Sequence, residues 1–195
     1  REVITWRDDA CGVPGFNLIL DTERVREIWM RFITEFSSSA DIGKRPLRPI
    51  GWAAFNATRI EAGRAMFGID FDDTVLPAET GPLQMSRAVS FTKGCYPGQE
   101  IVARMHARSQ SARQIVGFRM DDDALPIAGA QILDEQSNVI GAVTSSTISP
   151  VLSGAAIGLA IVKRSHVEAG KALHIPAEGS IRTAKVVELP FVKGA

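Results

Sequence analysis

The stretch of this sequence with the most reactive side chains is FTKGCYPGQE, which runs from Phe91 to Glu100. It places a lysine, a cysteine and a tyrosine close together, among glycines and a proline that predict a turn. Cys95 and Tyr96 stand out because the sequence has only two cysteines and one tyrosine. The turn either presents Cys95 as a reactive thiol or simply contains it.

Two features of the stretch favour the thiolate form of Cys95. Lys93 lies two residues before it, and residues 99–108 have the composition of a helix that would begin just after it. An ammonium group and the positive end of a helix dipole both stabilise a thiolate. Gly94 and Gly98 allow close backbone approach. The alternative, a small buried cysteine in an ordinary turn, fits the sequence equally well.

Other catalytic or metal-binding arrangements fit less well. His106 follows on the same predicted helix, without the surroundings of a cysteine-hydrolase nucleophile. Two distant cysteines and three scattered histidines lack zinc-ligand spacing, so we predict no metal site. The acidic stretch Asp70–Glu79 lacks the register of a calcium-binding loop and predicts a solvated loop. Arg104 and Arg108, four residues apart, could bind an anion, but a solvated helix face is the simpler explanation.

Composition bounds the class of protein. The chain has 195 residues, of which 45% are hydrophobic and 23% charged, as in a globular protein of one large or two small domains. Basic and acidic residues balance at 22 each, which predicts no general attraction to nucleic acid or to an anionic membrane. Two cysteines are too few for a disulfide framework, so we expect free thiols in a reducing compartment.

The hydrophobic pattern predicts two parts. Strands are predicted near the N-terminus, a first helix over Thr22–Phe36 and a second over Trp52–Ala62 that stops at Gly63. An apolar stripe on the first helix predicts a core face packed on the strands; it contains Val25, Ile28, Trp29, Phe32, Ile33 and Phe36. After Ala112, six short β-rich runs predict a small barrel or sandwich. We place the boundary near Ser109–Arg113, giving domains 1–111 and 112–195 in an α+β fold.

Several motifs then resemble one family. KGCYPGQEIVAR (Lys93–Arg104) is similar to the signature of the YgfZ-type folate-binding proteins, relatives of the glycine-cleavage T-protein, an aminomethyltransferase. Four further segments are similar to family segments in the same order: TRIEAGRAMFGID, LPAETG, GAVTSSTISP and VVELPF. The resemblance implies a ring of two α+β domains and a C-terminal antiparallel β barrel, around a channel for tetrahydrofolate. This chain would be the second α+β domain and the barrel, as a fragment or a processed product.

The resemblance also implies a choice between two functions. T-proteins use a glutamate and an arginine in the folate site, where a gapless alignment places Asn17 and Phe55 here. These departures, together with Cys95, Lys93 and Arg104, favour the YgfZ type, which supports assembly or repair of iron–sulfur enzymes in the bacterial cytoplasm or mitochondria. Folate and iron–sulfur client enzymes would be the partners. Enzymatic activity is left open, and a folate-dependent aminomethyltransferase is the alternative.

The resemblance assigns roles to residues as well. Cys95 would be the functional thiol, assisted by Lys93. Glu100 has an alternative role as a capping residue, and Arg59 and Glu61 have an alternative role as a structural pair. The residues expected to contact the folate or shape its site are Tyr96, Gln99, Glu100, Arg104, Arg59 and Glu61.

Overall fold

The computed structural model of the chain describes residues 3–36, 46–108 and 111–192. In this part of the chain, a two-stranded sheet and four α-helices precede a closed barrel of six antiparallel strands. The predicted α+β class with a C-terminal barrel is therefore confirmed. The predicted domain boundary includes residues 109–110, which lie outside the described residues.

The N-terminal part begins with an antiparallel hairpin of β1 (Ile4–Arg7) and β2 (Phe16–Ile19), followed by α1 (Thr22–Phe36). The bounds of α1 agree with the prediction, but the burial of its apolar stripe does not. No residue of α1 is buried within the described ranges, and Trp29 and Phe36 are each about half exposed. Periodicity identified an amphipathic helix correctly, but it cannot show whether a neighbouring element covers the apolar face.

Three further helices lead to the barrel. Helix α2 (Trp52–Glu61) is followed by its C-cap residue Ala62 and then by Gly63, whose φ of 67° is typical of a glycine that terminates a helix. Helix α4 (Gln99–Arg108) has the predicted bounds. The sequence did not predict α3 (Pro82–Ala88), because a proline next to a glycine reads as a loop signal although proline is well suited to the first helical turn.

The six β-rich runs become the strands of the barrel. They are β3 (Arg113–Met120), β4 (Gln131–Leu133), β5 (Val139–Ser149), β6 (Ala155–Lys163), β7 (Ala172–Ala177) and β8 (Ser180–Val187). The order around the barrel is β3-β6-β5-β4-β7-β8. Alternate residues point inward and form the main core, which includes the fully buried Phe118, Ile132 and Leu173. No helix among the described residues has the length and apolar character needed to cross a membrane.

Close packing inside the barrel depends on Gly158 of β6. A Cβ atom at this position would lie 2.4 Å from the carbonyl oxygen of Ser145 and 2.5 Å from Cζ of Phe118. Both distances are far below van der Waals contact, and one involves backbone that cannot move without disturbing the strand pairing. Only glycine therefore fits between β5 and the ring of Phe118.

We expect Gly158→Ala to lower the free energy of unfolding by about 3 kcal/mol, because the added methyl group overpacks the barrel core. Urea denaturation followed by circular dichroism measures this loss. Gly51→Ala is the matched control, because no atom lies within 4 Å of a Cβ at Gly51, and it should cost under about 1 kcal/mol. Equal stability of Gly158→Ala and the unsubstituted chain would contradict the packing described.

Candidate functional site

The turn between α3 and α4 exposes Cys95. Its thiol is free and solvent-accessible, so the alternative in which Cys95 is a buried hydrophobic residue does not hold. The Nζ atom of Lys93 lies 4.7 Å from the centroid of the Tyr96 ring, which is a cation–π contact. Tyr96 is partly buried and anchors the turn, while Lys93 and Cys95 on either side of Gly94 remain accessible.

Gln99 fixes the end of this turn where α4 begins. Its Oε1 atom accepts a hydrogen bond of 3.1 Å from the backbone N–H of Tyr96. The sequence suggested a backward bond of this kind for Glu100. In the structure the preceding residue, Gln99, makes it. Glu100 is exposed in the first turn of α4, where its charge complements the helix dipole. Gly98, with a φ of 83°, makes the change of direction between the turn and the helix.

Arg104 is exposed on α4. The side chains of His106 and Arg108, the other two residues that the sequence analysis considered on this helix, lie outside the described residues. Within the described part of the chain, no group of three or more His, Cys, Asp or Glu side chains could hold a metal ion.

A second cluster joins the helical part to the barrel around a buried ion pair. Nη1 of Arg59 on α2 lies 2.6 Å from Oδ2 of Asp70, and the two side chains are 2% and 0% exposed. Nε of Arg59 donates to Asn56, and the backbone N–H of Met66 donates to the same Asp70 oxygen. The prediction that Asp70 lies in a solvated loop was therefore wrong.

A β-bulge in the barrel completes the coordination of Asp70. The pairing of β5 with β6 shifts in register between Val143 and Ser145. Successive residues of a regular strand point to opposite faces, but a bulge changes this alternation. The hydroxyl groups of Thr144 and Ser145 can therefore both donate to Oδ1 of Asp70, at 2.7 and 2.6 Å. Asp70 thus accepts hydrogen bonds from both parts of the chain.

Two other carboxylates reinforce this junction. Oε1 of the buried Glu61 accepts a hydrogen bond of 2.5 Å from the hydroxyl of Ser149 at the end of β5. Oε2 of Glu79, which is also buried, lies 3.3 Å from Nε of Arg113 at the start of β3. These contacts show that the motif segments around residues 58–70 and 141–150 meet at one interface, and that the segment 76–81 contacts the start of β3.

These contacts bear on the roles predicted for Arg59 and Glu61. The two residues do not pair with each other; each contacts a different partner, Asp70 for the first and Ser149 for the second. Both residues are buried at the junction, as the alternative structural role requires, and their contact with folate stays a prediction. Nη2 of Arg59 is buried without a hydrogen-bond partner in the described part of the chain.

A third cluster lies at the hairpin, where the resemblance expected a folate-binding glutamate. Nδ2 of Asn17 donates to Oδ2 of Asp8 at 3.2 Å, so a carboxylate lies directly beside the asparagine. Oδ1 of Asp8 accepts from Nη2 of Arg64 at 3.2 Å and from Nη2 of Arg87 at 3.3 Å. Sequence reasoning missed Asp8, Arg64 and Arg87, because they come from three separate segments.

The charges of this hairpin cluster influence one another. Burial lowers the pKa of Arg64, the nearby charge of Arg87 lowers it further, and Asp8 opposes both effects. The pKa of Asp9 is lowered mainly by its hydrogen bond with Arg7 and then by the backbone N–H of Gly15. The lowered pKa of Asp9 favours its ionised form in the neutral range, and Oδ1 of Asp8 lies 3.2 Å from the largely buried guanidinium of Arg64.

The second position at which the resemblance expected a charged residue is Phe55 on α2. Its ring packs against Trp52, with 5.5 Å between the ring centroids and 34° between their planes. Phe55 therefore supplies no charged group at the position where the resemblance expected an arginine.

Comparisons with known proteins agree with this architecture. Residues 113–193 match the family described as the glycine cleavage T-protein C-terminal barrel domain. An aminomethyltransferase of Halothermothrix orenii is 30% identical over 191 residues, which are 98% of this chain and 50% of that protein. An aminomethyltransferase of Flavobacterium psychrophilum is 32% identical over 197 residues, which are 99% of this chain and 50% of that protein.

A solved structure gives the same fold. The glycine cleavage system aminomethyltransferase T from Bartonella henselae superimposes with a TM-score of 0.79 and 23% identity, over 97% of this chain and 49% of that one. The chain therefore spans about half the length of the relatives that it matches. Together these findings support its assignment to the glycine-cleavage T-protein superfamily, as the C-terminal portion of that architecture. The narrower YgfZ-type assignment stays a prediction.

We expect Asp70→Asn to destabilise the chain by about 3–5 kcal/mol, because it leaves the buried guanidinium of Arg59 without a compensating charge. Urea denaturation measures the change. Asp121→Asn is the matched control, because Asp121 pairs with Lys185 at 3.6 Å on the exposed barrel surface and should contribute under about 1 kcal/mol. Equal losses for the two variants would contradict the structural role of Asp70.

Proposed function

We propose that this chain is the C-terminal portion of a tetrahydrofolate-binding protein of the aminomethyltransferase type. Relatives bearing that name align with nearly all of the chain, and the resemblance of its motifs implies tetrahydrofolate as the cofactor. The activity would be transfer of an aminomethyl group from a lipoylated carrier protein to folate, with release of ammonia. The carrier protein and the folate would then be its two partners.

The geometric observation that supports this proposal is the position of Asp8. Asn17 replaces the glutamate expected to hold the pterin, but Asp8 places a carboxylate 3.2 Å from its side-chain nitrogen. Arg64 and Arg87 hold Oδ1 of Asp8, while Oδ2 accepts only the bond from Asn17 among the described contacts. A carboxylate oxygen has two lone pairs, so Oδ2 has the capacity to accept an N–H group of a pterin ring.

Folate binding tests this proposal directly. Folinate, an air-stable folate, is titrated into the chain and into Asp8→Asn, with isothermal calorimetry as the measurement. Loss of the charged acceptor should weaken binding by roughly tenfold, the usual effect of a charge-assisted hydrogen bond. Asp123→Asn, an exposed change in the barrel, is the control and should bind normally.

The two possible failures have different meanings. No folinate binding by the unsubstituted chain would contradict the folate proposal as a whole. Binding that Asp8→Asn leaves unchanged would contradict only the role of Asp8. Near-ultraviolet circular dichroism of each variant establishes that the tertiary fold is retained, so that a loss of binding is assigned to the carboxylate.

A second candidate function is favoured by the exposure of Cys95. In this interpretation the protein binds folate without turnover and assists assembly or repair of iron–sulfur enzymes, in the bacterial cytoplasm or the mitochondrial matrix. The thiolate of Cys95 would ligate iron transiently or form a mixed disulfide with a client protein. Lys93, two residues from Cys95 in the same turn, would assist the thiol, and Arg104 on the exposed face of α4 would contact the client or the folate tail.

Ammonia release separates the two candidates. The chain is incubated with tetrahydrofolate and an aminomethylated lipoyl carrier, and ammonia is measured over time. Catalytic release above the rate without protein supports the transferase. Folate binding without any release contradicts the transferase and leaves the accessory function as the better account.

A cellular assay tests the thiol. Cells lacking their own homologue are complemented with the protein or with Cys95→Ser, and the activity of an iron–sulfur enzyme is measured. The accessory function predicts that Cys95→Ser fails to restore activity, whereas Cys11→Ser restores it, because Cys11 is a partly buried residue beside Thr58. Equal rescue by both variants would remove Cys95 from the function.

A further inference from the structure

A cavity of about 390 Å³ lies beside the Cys95 turn, between the segment before α3 and the start of α4. Its volume is within the range of sites that bind small molecules. Most of its wall is apolar and includes the buried Val102. The apolar residues lining the cavity include Leu76, Pro77, Val89, Pro97, Ile101 and Val102.

The charge at the wall of this cavity is positive. Among the described lining residues, Lys93 is the one charged residue, and none carries a carboxylate. The ammonium group of Lys93 lies over the ring of Tyr96, which also lines the cavity, so the cation is held at the edge of an apolar space. Charge interactions are stronger beside apolar walls than in bulk water, which favours an anion at this position.

Ser90 positions the turn that carries this cation. Its Oγ atom accepts from the backbone N–H groups of Thr92 and Lys93, at 3.4 and 3.2 Å. At the other end of the turn, the bond from Tyr96 to Gln99 fixes the aromatic ring. The cation and the ring are therefore positioned by hydrogen bonds before any ligand arrives, which lowers the ordering cost of binding.

We propose that this cavity binds a small organic carboxylate, whose apolar or aromatic body fills the space and whose carboxylate pairs with Lys93. A single ammonium group matches one negative charge, and the absence of arginine from the described lining disfavours a phosphate dianion. The site goes beyond the folate proposal, since neither Asp8 nor Asn17 lines this cavity.

Naphthoate, an aromatic carboxylate, serves as the probe for this site. It is titrated into the chain and its variants, with backbone amide chemical shifts as the measurement. The largest shifts should occur at Tyr96, Gly98 and Ile101. Lys93→Gln should weaken binding roughly tenfold through loss of the ion pair, whereas Lys163→Gln, an exposed lysine on the barrel, should have no effect.

Two further arms identify the source of affinity. Naphthamide, the neutral isostere, should bind the unsubstituted chain about as weakly as naphthoate binds Lys93→Gln. Ile101→Trp should fill the cavity and abolish naphthoate binding, while leaving folinate binding unchanged. That last result keeps failure of this proposal separate from failure of the folate proposal.

Three results would overturn the inference. They are no naphthoate binding at millimolar concentration, equal affinity of the unsubstituted chain and Lys93→Gln, and unchanged affinity in Ile101→Trp. The last two would show that the probe binds elsewhere or through its apolar body alone.

Discussion

The buried contact between Arg59 and Asp70 is the interaction on which the arrangement of this molecule depends. An isolated carboxylate in a protein interior is strongly unfavourable, so Asp70 requires both the guanidinium and the additional donors around it. Those donors come from α2, from the following loop and from the bulge in β5 that carries Thr144 and Ser145. Because the acceptor lies in one part of the chain and two of its donors lie in the barrel, the two parts are constrained to a single orientation.

This constraint separates structural residues from candidate functional ones. Arg59 and Glu61 are charged residues that the sequence made candidates for the site, but both are buried at the junction, where they contact Asp70 and Ser149. Two other charged residues are accessible to solvent and belong to the candidate sites. Asp8 is held at the hairpin by two arginines, and Lys93 lies over Tyr96 in the thiol turn. The proposed folate site and the proposed carboxylate site use these accessible groups, each fixed by neighbours that the scaffold positions.

Local sequence signals predicted the elements well. The bounds of α1 and α4 follow from hydrophobic spacing and from turn residues, and the six β-rich runs correspond to the six strands of the barrel. The same signals failed for α3, because Pro82 and the preceding glycine are compatible with both a loop and a helix start. They also failed for the burial of α1, since amphipathicity states which face is apolar without stating what covers it.

The candidate site was less predictable, for a reason that applies to many folds. Cys95, Lys93 and Tyr96 are neighbours in sequence, so their proximity was evident from the printed residues. Asp70 gave no local sign of burial, because the hydroxyl groups that satisfy it lie 74 and 75 residues further along the chain. Such long-range partners are set by the topology of the barrel and by the bulge in β5, neither of which a pattern of neighbours reveals.

Differential scanning calorimetry of the intact chain tests most directly the claim that buried carboxylates make the helical part and the barrel one unit. The account predicts a single heat-absorption peak, with a calorimetric enthalpy equal to the van 't Hoff enthalpy. Unfolding of either part would break the hydrogen bonds that Asp70 and Glu61 accept from the barrel, so the two parts should unfold together. Two separate peaks, one for the helical part and one for the barrel, would contradict it.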